Sequence, residues 1–185
     1  WWRGLAPLTR TGADAEILIW VMLLSIVFIN GIVADGAPEN AAAPWQSRLV
    51  MGLLAALPFY AALGLYCLWL RYSAEGLTPD RVYGFGLAGV GLVISLFYLS
   101  AIARPGMDWT GRIIRFNPYL WRLVLAAAVA LHLPYLNPYH ITARTQAARL
   151  ETGAPVSLKT LGALKFELGK PGRQAYDQLA ANDSF

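Results

Sequence analysis

The stretch EILIWVMLLSIVFINGIVA, residues 16–34, carries a charge at Glu16 and none after it. Crossing the hydrocarbon core of a bilayer takes about 20 apolar residues in a helix, and this run has that length. In lipid a single apolar segment must satisfy its own backbone hydrogen bonds, so it is helical. Three further runs repeat the pattern: LVMGLLAALPFYAALGLYCLWL at 49–70, VYGFGLAGVGLVISLFYLSAIA at 82–103 and YLWRLVLAAAVALHLPYLNP at 119–138. The last is the weakest, because it contains Arg122 and His132. The expected fold is therefore all-α, a polytopic transmembrane bundle of four spans in residues 1–138, followed by an amphipathic helical surface tail in residues 139–185.

Composition agrees. The chain of 185 residues is 57% hydrophobic and 14% charged, against roughly 25% charge in an ordinary soluble domain, and its mean hydropathy is +0.45. The net charge of +4 comes from basic residues scattered singly between apolar runs. Nucleic-acid binding is not expected, since that function places Lys and Arg in a stripe or patch. Scattered loop charges suit lipid headgroups instead, so the bilayer is the expected partner, with other membrane protein subunits as further partners. The one cysteine, Cys67, lies within an apolar run and reads as packing. The chain begins WWRGLAPLTR without Met or the order of a secretory signal, which leads to the expectation that it is a piece of a longer protein.

The connectors are legible. DGAPENAAAP, residues 35–44, is a polar Gly and Pro loop, and SAEGLTPDR, residues 73–81, is a tight turn in which Thr78 and Pro79 start the third helix. RPGMDWTGRIIRFNP, residues 104–118, interleaves aromatic and aliphatic residues with Arg112 and Arg115, the pattern of a segment lying among headgroups. Pro58 should kink the second span. Basic residues near the spans divide almost evenly: Arg3, Arg10, Arg71, Arg81, Arg144 and Arg149 on one side, Arg48, Arg104, Arg112, Arg115 and Arg122 on the other. The distal tail adds Lys159, Lys165, Lys170 and Arg173 to the first side, so the tail is assigned to the cytoplasmic face.

After Pro138 the pattern turns amphipathic. Ala143, Ala147 and Leu150 form the apolar side of one helix, ended by Gly153 and Pro155. Ser157 is placed to cap the next, in which Leu158, Leu161, Leu164 and Leu168 make a stripe closed by Gly169 and Pro171. A shorter third piece buries Ala175, Tyr176 and Leu179. Together these make a helical hairpin, too few units for a repeat array.

Few residues could carry chemistry. Gly84, Gly86 and Gly89 match a dinucleotide-binding glycine pattern only formally, because they lie inside an apolar span rather than between a strand and a helix. Gly84 and Ala88 instead let helices pack closely. Asn30, Arg122 and His132 are polar groups within spans, where such groups face a partner or cavity; Ser25, one turn before Asn30, could bond a neighbouring helix. Arg122 lies near the expected helix start and can snorkel, and His132 sits close to the opposite interface. His140 is outside the membrane, and two histidines without a nearby carboxylate or thiol make a poor metal site. No catalytic triad, paired intramembrane carboxylates or phosphate loop is present. Accordingly no catalytic, metal or cofactor residues are assigned and no cofactor is expected.

The combination of GLTPDRVYGFGLAG, LNPYHITARTQAARLETG and LKFELGKPGRQAYDQLA resembles the bacterial multi-pass membrane family grouped as DUF4153, a domain of unknown function. The matching positions are Gly76 to Pro79, Asn137 and Pro138, Arg149 and Leu150, and Phe166 to Gly169. The resemblance covers about the last two thirds of the chain and implies a multi-pass protein of the bacterial inner membrane with no assigned activity. The expected role is a structural or interaction component of the envelope, with Thr78, Arg81, Arg144 and Arg149 at the turn and tail as contact points. The alternatives are a transporter or channel subunit with a polar path near Asn30, Pro58 and His132, and a membrane enzyme acting on lipid-linked substrates held by Arg122 and the basic connector.

Overall fold

The computed structural model of the chain describes residues 14–33, 43–103, 108–153 and 158–181. These are helical, with no strand among the described residues. Four helices are long and apolar enough to cross a membrane: α1 (Asp14–Val33), α2 (Pro44–Glu75), α3 (Pro79–Ile102) and α4 (Trp109–Ala130). They are followed by α5 (Pro138–Glu151), α6 (Leu158–Gly162), which runs into a π-helical turn at Ala163–Glu167, and α7 (Gly169–Ala181). The protein is a multi-pass membrane protein. The expected Ser157 cap, Pro155, Arg3, Arg10, Arg104 and the loop at 34–42 lie outside the described residues.

The chain divides into two compact units, Trp1–Leu68 with Gly84–Ala127, and Trp69–Tyr83 with Ala128–Phe185. The first unit packs Met22 and Ile29 of α1, Leu54 and Leu57 of α2, Tyr98 of α3 and Ile113 of α4 into one core. Its outer surface is also apolar, with Trp20, Phe28, Phe59, Leu96 and Trp121 exposed. Helices apolar all round are those of a membrane span, where the outward side chains meet lipid. Small residues set the close contacts: a Cβ added at Gly84 would come within 3.2 Å of the Leu68 side chain, and Ala88 is fully buried.

Span boundaries differ from the sequence reading in two places. α2 is 32 residues long and runs through Pro58 without a break, about 48 Å of helix against a hydrocarbon core of about 30 Å. It therefore reaches beyond the apolar run 49–70. The fourth helix long and apolar enough to cross a membrane is Trp109–Ala130, whereas the sequence reading places it at 119–138. What reads as a headgroup connector at 109–118 is the first half of α4, with Pro118 inside the helix and Arg112 buried. Asn-Pro in mid-span reads as a break, but a spanning helix tolerates proline where neighbouring groups satisfy the freed backbone. At the other end, Leu131–Leu136 form i→i+3 turns, closed by His132 N–H to Val129 O and Leu136 N–H to Leu133 O, both 3.0 Å. Asn137 and Pro138 do not stop a span. They start α5: the Asn137 Oδ1 accepts from Tyr139 N at 2.9 Å, with Pro138 in the first helical position.

Asp108 caps α4. Its carboxylate accepts from the Thr110 backbone N–H at 3.1 Å, the Gly111 N–H at 3.0 Å and the Thr110 hydroxyl. That hydroxyl chiefly, with the Gly111 and Thr110 backbone N–H groups and the charge of Arg112, holds the carboxyl below its ordinary value, against desolvation, which is second in size only to the hydroxyl and pushes the other way. A depressed carboxylate stabilises the fold above its unfolded pKa, and that contribution disappears as pH falls through the lower folded pKa. Asp108→Ala is expected to cost about 1 kcal/mol at pH 7, and the difference from wild type should shrink below about pH 3.9. Melting in detergent at pH 7 and pH 3 checks it; an unchanged difference at pH 3 would contradict this assignment.

In the second unit Ala143 and Leu150 of α5 pack with Leu164, Leu168, Ala175 and Leu179. The expected stripe loses its first member, since Leu158 is 89% exposed. The π turn, in which Leu168 N–H reaches Ala163 O at 3.0 Å, adds a residue to the turn and shifts the stripe's register after Leu158. Gly169 has φ +63 and opens α7. Gly172 is buried where α7 meets the π turn, and a Cβ there would overlap the Leu164 carbonyl oxygen and lie 2.6 Å from the Leu168 Cβ. Backbone cannot move aside as a side-chain tip can, so Gly172→Ala should destabilise this hairpin by about 1–3 kcal/mol. Faster hydrogen exchange in α6 and α7 than in the parent is the expected readout.

Candidate functional site

Polar side chains of the first unit converge at one place. Asn30 of α1 donates from Nδ2 to the Tyr98 hydroxyl of α3 at 2.9 Å. That hydroxyl donates to Asn117 Oδ1 of α4 at 2.8 Å, and Asn117 Nδ2 returns to Asn30 Oδ1 at 2.6 Å. The second Asn30 amide hydrogen goes to Ile26 O at 2.8 Å. The three side chains close a ring in which each donates once to the next. Counting from the nearest helix ends at 1.5 Å per residue, Asn30, Tyr98 and Asn117 lie about 5, 6 and 12 Å inside their spans. The ring is neutral, and it joins three helices by hydrogen bonds whose alternative in lipid is an unsatisfied polar group. Ser25 and Ser95 take no part, since each bonds a carbonyl of its own helix, Val21 O at 2.7 Å and Leu92 O at 2.8 Å.

A second cluster is built at the turn between α2 and α3, in the second unit. Gly76 has φ +84, a conformation that penalises any side chain, and its N–H closes α2 on Tyr72 O at 2.8 Å. Thr78 caps α3, its hydroxyl accepting from Arg81 N–H at 3.4 Å. Arg81 donates to Gly76 O at 2.6 Å and pairs with Glu75. From α5, Arg149 reaches Tyr72 O at 3.3 Å and Ala74 O at 3.5 Å, and Gln146 donates to Leu77 O at 2.7 Å. The last carbonyls of a helix lack intrahelical donors and carry the negative end of its dipole. Two arginines and an amide meet that end of α2, so the tail is clasped to the turn.

The predicted residues thus fall in separate places. Asn30 belongs to the ring, whereas Pro58 has no place in it and His132 lies past α4 in the other unit, exposed, with Nδ1 2.7 Å from Ala128 O. Thr78, Arg81 and Arg149 are brought together in the clasp, while Arg144 stays exposed on α5. Arg122 is exposed on the outer face of α4, its guanidinium 5.4 Å from the Tyr119 ring centroid. Because α4 starts at Trp109, Arg122 is about 20 Å from that start and about 12 Å from the helix end, well inside the helix. Tyr98, Asn117 and Gln146 were missed. Tyr98 reads as an apolar-run aromatic and Asn117 as loop; that Asn117 belongs to a helix facing Asn30 is visible only once α4 is extended through Pro118. Among the described residues no three His, Cys, Asp or Glu side chains cluster to hold a metal ion.

A family model described as domain of unknown function DUF4153 matches residues 5–170. Cytochrome b of Chlamydomonas reinhardtii is 24% identical over 140 residues, covering 68% of this chain and 36% of that protein. The chain thus spans about a third of the length of that relative. No solved structure matches.

Proposed function

The chain belongs to the DUF4153 family, and from that premise we propose that it is an integral structural or interaction component of the bacterial inner membrane that assembles laterally with another membrane protein subunit through α4. The observation that carries this reading is Arg122. It is exposed on the least buried span, with 11% of the apolar window of α4 buried against 33% for α3. A charge near the centre of a lipid-facing helix costs roughly 2.5–3.5 kcal/mol, and a carboxylate or carbonyl on a neighbouring subunit offsets that cost. Tyr119, Trp121 and Leu125 beside it are exposed and give the apolar contact area. The tail, clasped to the α2–α3 turn, is a fixed surface module on the cytoplasmic face, where Arg144 on the wet side of α5 is left for contact.

The polar path of a transporter has less support, because the Asn30 amide is engaged within a neutral ring. The cytochrome b likeness, 24% identity over 36% of that protein, assigns no residue of this chain a role. A photo-crosslinker at Leu125 in cells should trap a polypeptide adduct of fixed mass, lost in Arg122→Leu, whereas the same group at the exposed Phe59 of α2 should trap lipid. Equal lipid adducts at both positions would rule out assembly through α4. Loss of uptake in His132→Ala with the fold retained would favour a transporter.

A further inference from the structure

In the second unit α4 leaves its span through Leu131–Leu136, and Leu133, Tyr135 and Leu136 are all exposed, Tyr135 to 88%. An open groove joins this exit segment to the π turn, lined by Pro134, Asn137 and Tyr139 on one side and by Glu167 and Gly169 on the other. Phe166, next to that lining in the chain, is 73% exposed. Cations flank it. Lys165 Nζ lies 5.6 Å from the Phe166 ring and 5.0 Å from the Tyr176 ring, and Lys170 is exposed one turn beyond. An apolar and aromatic patch rimmed by lysines, continuous with the end of a span, has the chemistry of the headgroup layer.

We infer that Tyr135 and Phe166, with Lys165 and Lys170, form an interfacial patch that enters the headgroup layer of the same bilayer and takes anionic phospholipid. Phe166 and Tyr135 supply apolar area at the acyl boundary, and the two ammonium groups meet lipid phosphates. This rests on the tail lying at the membrane surface and is independent of lateral assembly at α4, which is read at Leu125.

The test uses the full chain with Cys67→Ala and a fluorophore attached through Phe166→Cys or, as reference, Arg144→Cys. The protein is reconstituted in vesicles of phosphatidylcholine with or without phosphatidylglycerol. Iodide should quench the label at 144 and not at 166. Nitroxide-labelled phosphatidylglycerol should quench at 166 more than nitroxide-labelled phosphatidylcholine, by roughly fivefold per lysine. Lys165→Glu with Lys170→Glu should bring that ratio to one. Iodide quenching at 166 equal to that at 144 overturns the proposal, because the patch is then in water. Shielding from iodide without quenching by either lipid overturns it in favour of a protein contact, and equal quenching by both lipids overturns the anionic assignment.

Discussion

Gly76→Ala is expected to release the tail hairpin from the α2–α3 turn and to cost about 2.5–5 kcal/mol. Two effects add. A side chain at φ +84 is disfavoured by roughly 1–2 kcal/mol, and the new Cβ would stand 2.6 Å from Arg149 Nη1 and 2.8 Å from Gln146 Nε2. Those are the groups that bond the carbonyls of Ala74 and Leu77 and give Tyr72 O its second donor beside the Gly76 N–H. Displacing them leaves the end of α2 to water and removes hydrogen bonds from a charged donor, at roughly 1.5–3 kcal/mol in total. Hydrogen exchange should speed up in α5 and at 72–78 and stay slow through the middle of α1 and α3. Arg149→Ala should give the same pattern with a smaller loss, since the turn itself remains unstrained. Exchange in α5 indistinguishable from wild type in both variants would show that the clasp does not hold the hairpin.

The second large effect is expected in the ring. Tyr98→Phe keeps the aromatic packing of a buried side chain and deletes one hydroxyl, leaving an Asn30 N–H and the Asn117 oxygen each without its partner. Stranding polar groups in this way costs about 1–3 kcal/mol, above the average of about 0.6 kcal/mol for a hydrogen bond between membrane helices. Asn117→Leu should cost a similar amount. The double variant should lose less than the sum, because the first change has already broken the ring. Unfolding of the single and double variants in mixed micelles measures that coupling, and additive losses would mean that the three residues do not act as a unit.

The clasp and the ring were unequally readable beforehand. Thr78 and Pro79 announce the start of α3 locally, since a cap followed by proline needs nothing from the rest of the chain. Arg149 stands in sequence as one arginine on the wet face of a helix. That it reaches the carbonyls of α2, more than seventy residues away, depends on where α5 is laid down. Asn30 is conspicuous as an amide within an apolar run, but its partners were hidden by the reading of α4. Asn117-Pro118 combines a polar residue with a helix breaker, and both signals point to a loop. The tertiary environment reverses them, because Asn30 of α1 accepts from the amide, Tyr98 of α3 donates to it, and the helix continues past the proline. The same shift moved Arg122 from a snorkelling position to mid-span, which changed its meaning.

What the sequence determined by itself is the membrane and the helices: runs of about 20 apolar residues can satisfy their backbones in lipid in no other way, and the motifs at the turn and tail already pointed to the family. What only the tertiary structure decided is which polar groups meet. Hydrophobic length specifies that a segment spans, but it is nearly blind to rotation about the helix axis, because lipid-facing and core-facing sides are equally apolar. Rotation and register are settled by the few groups that lipid cannot satisfy: Asn30, Tyr98 and Asn117 inside the first unit and, in the second unit, Arg149 on the end of α2.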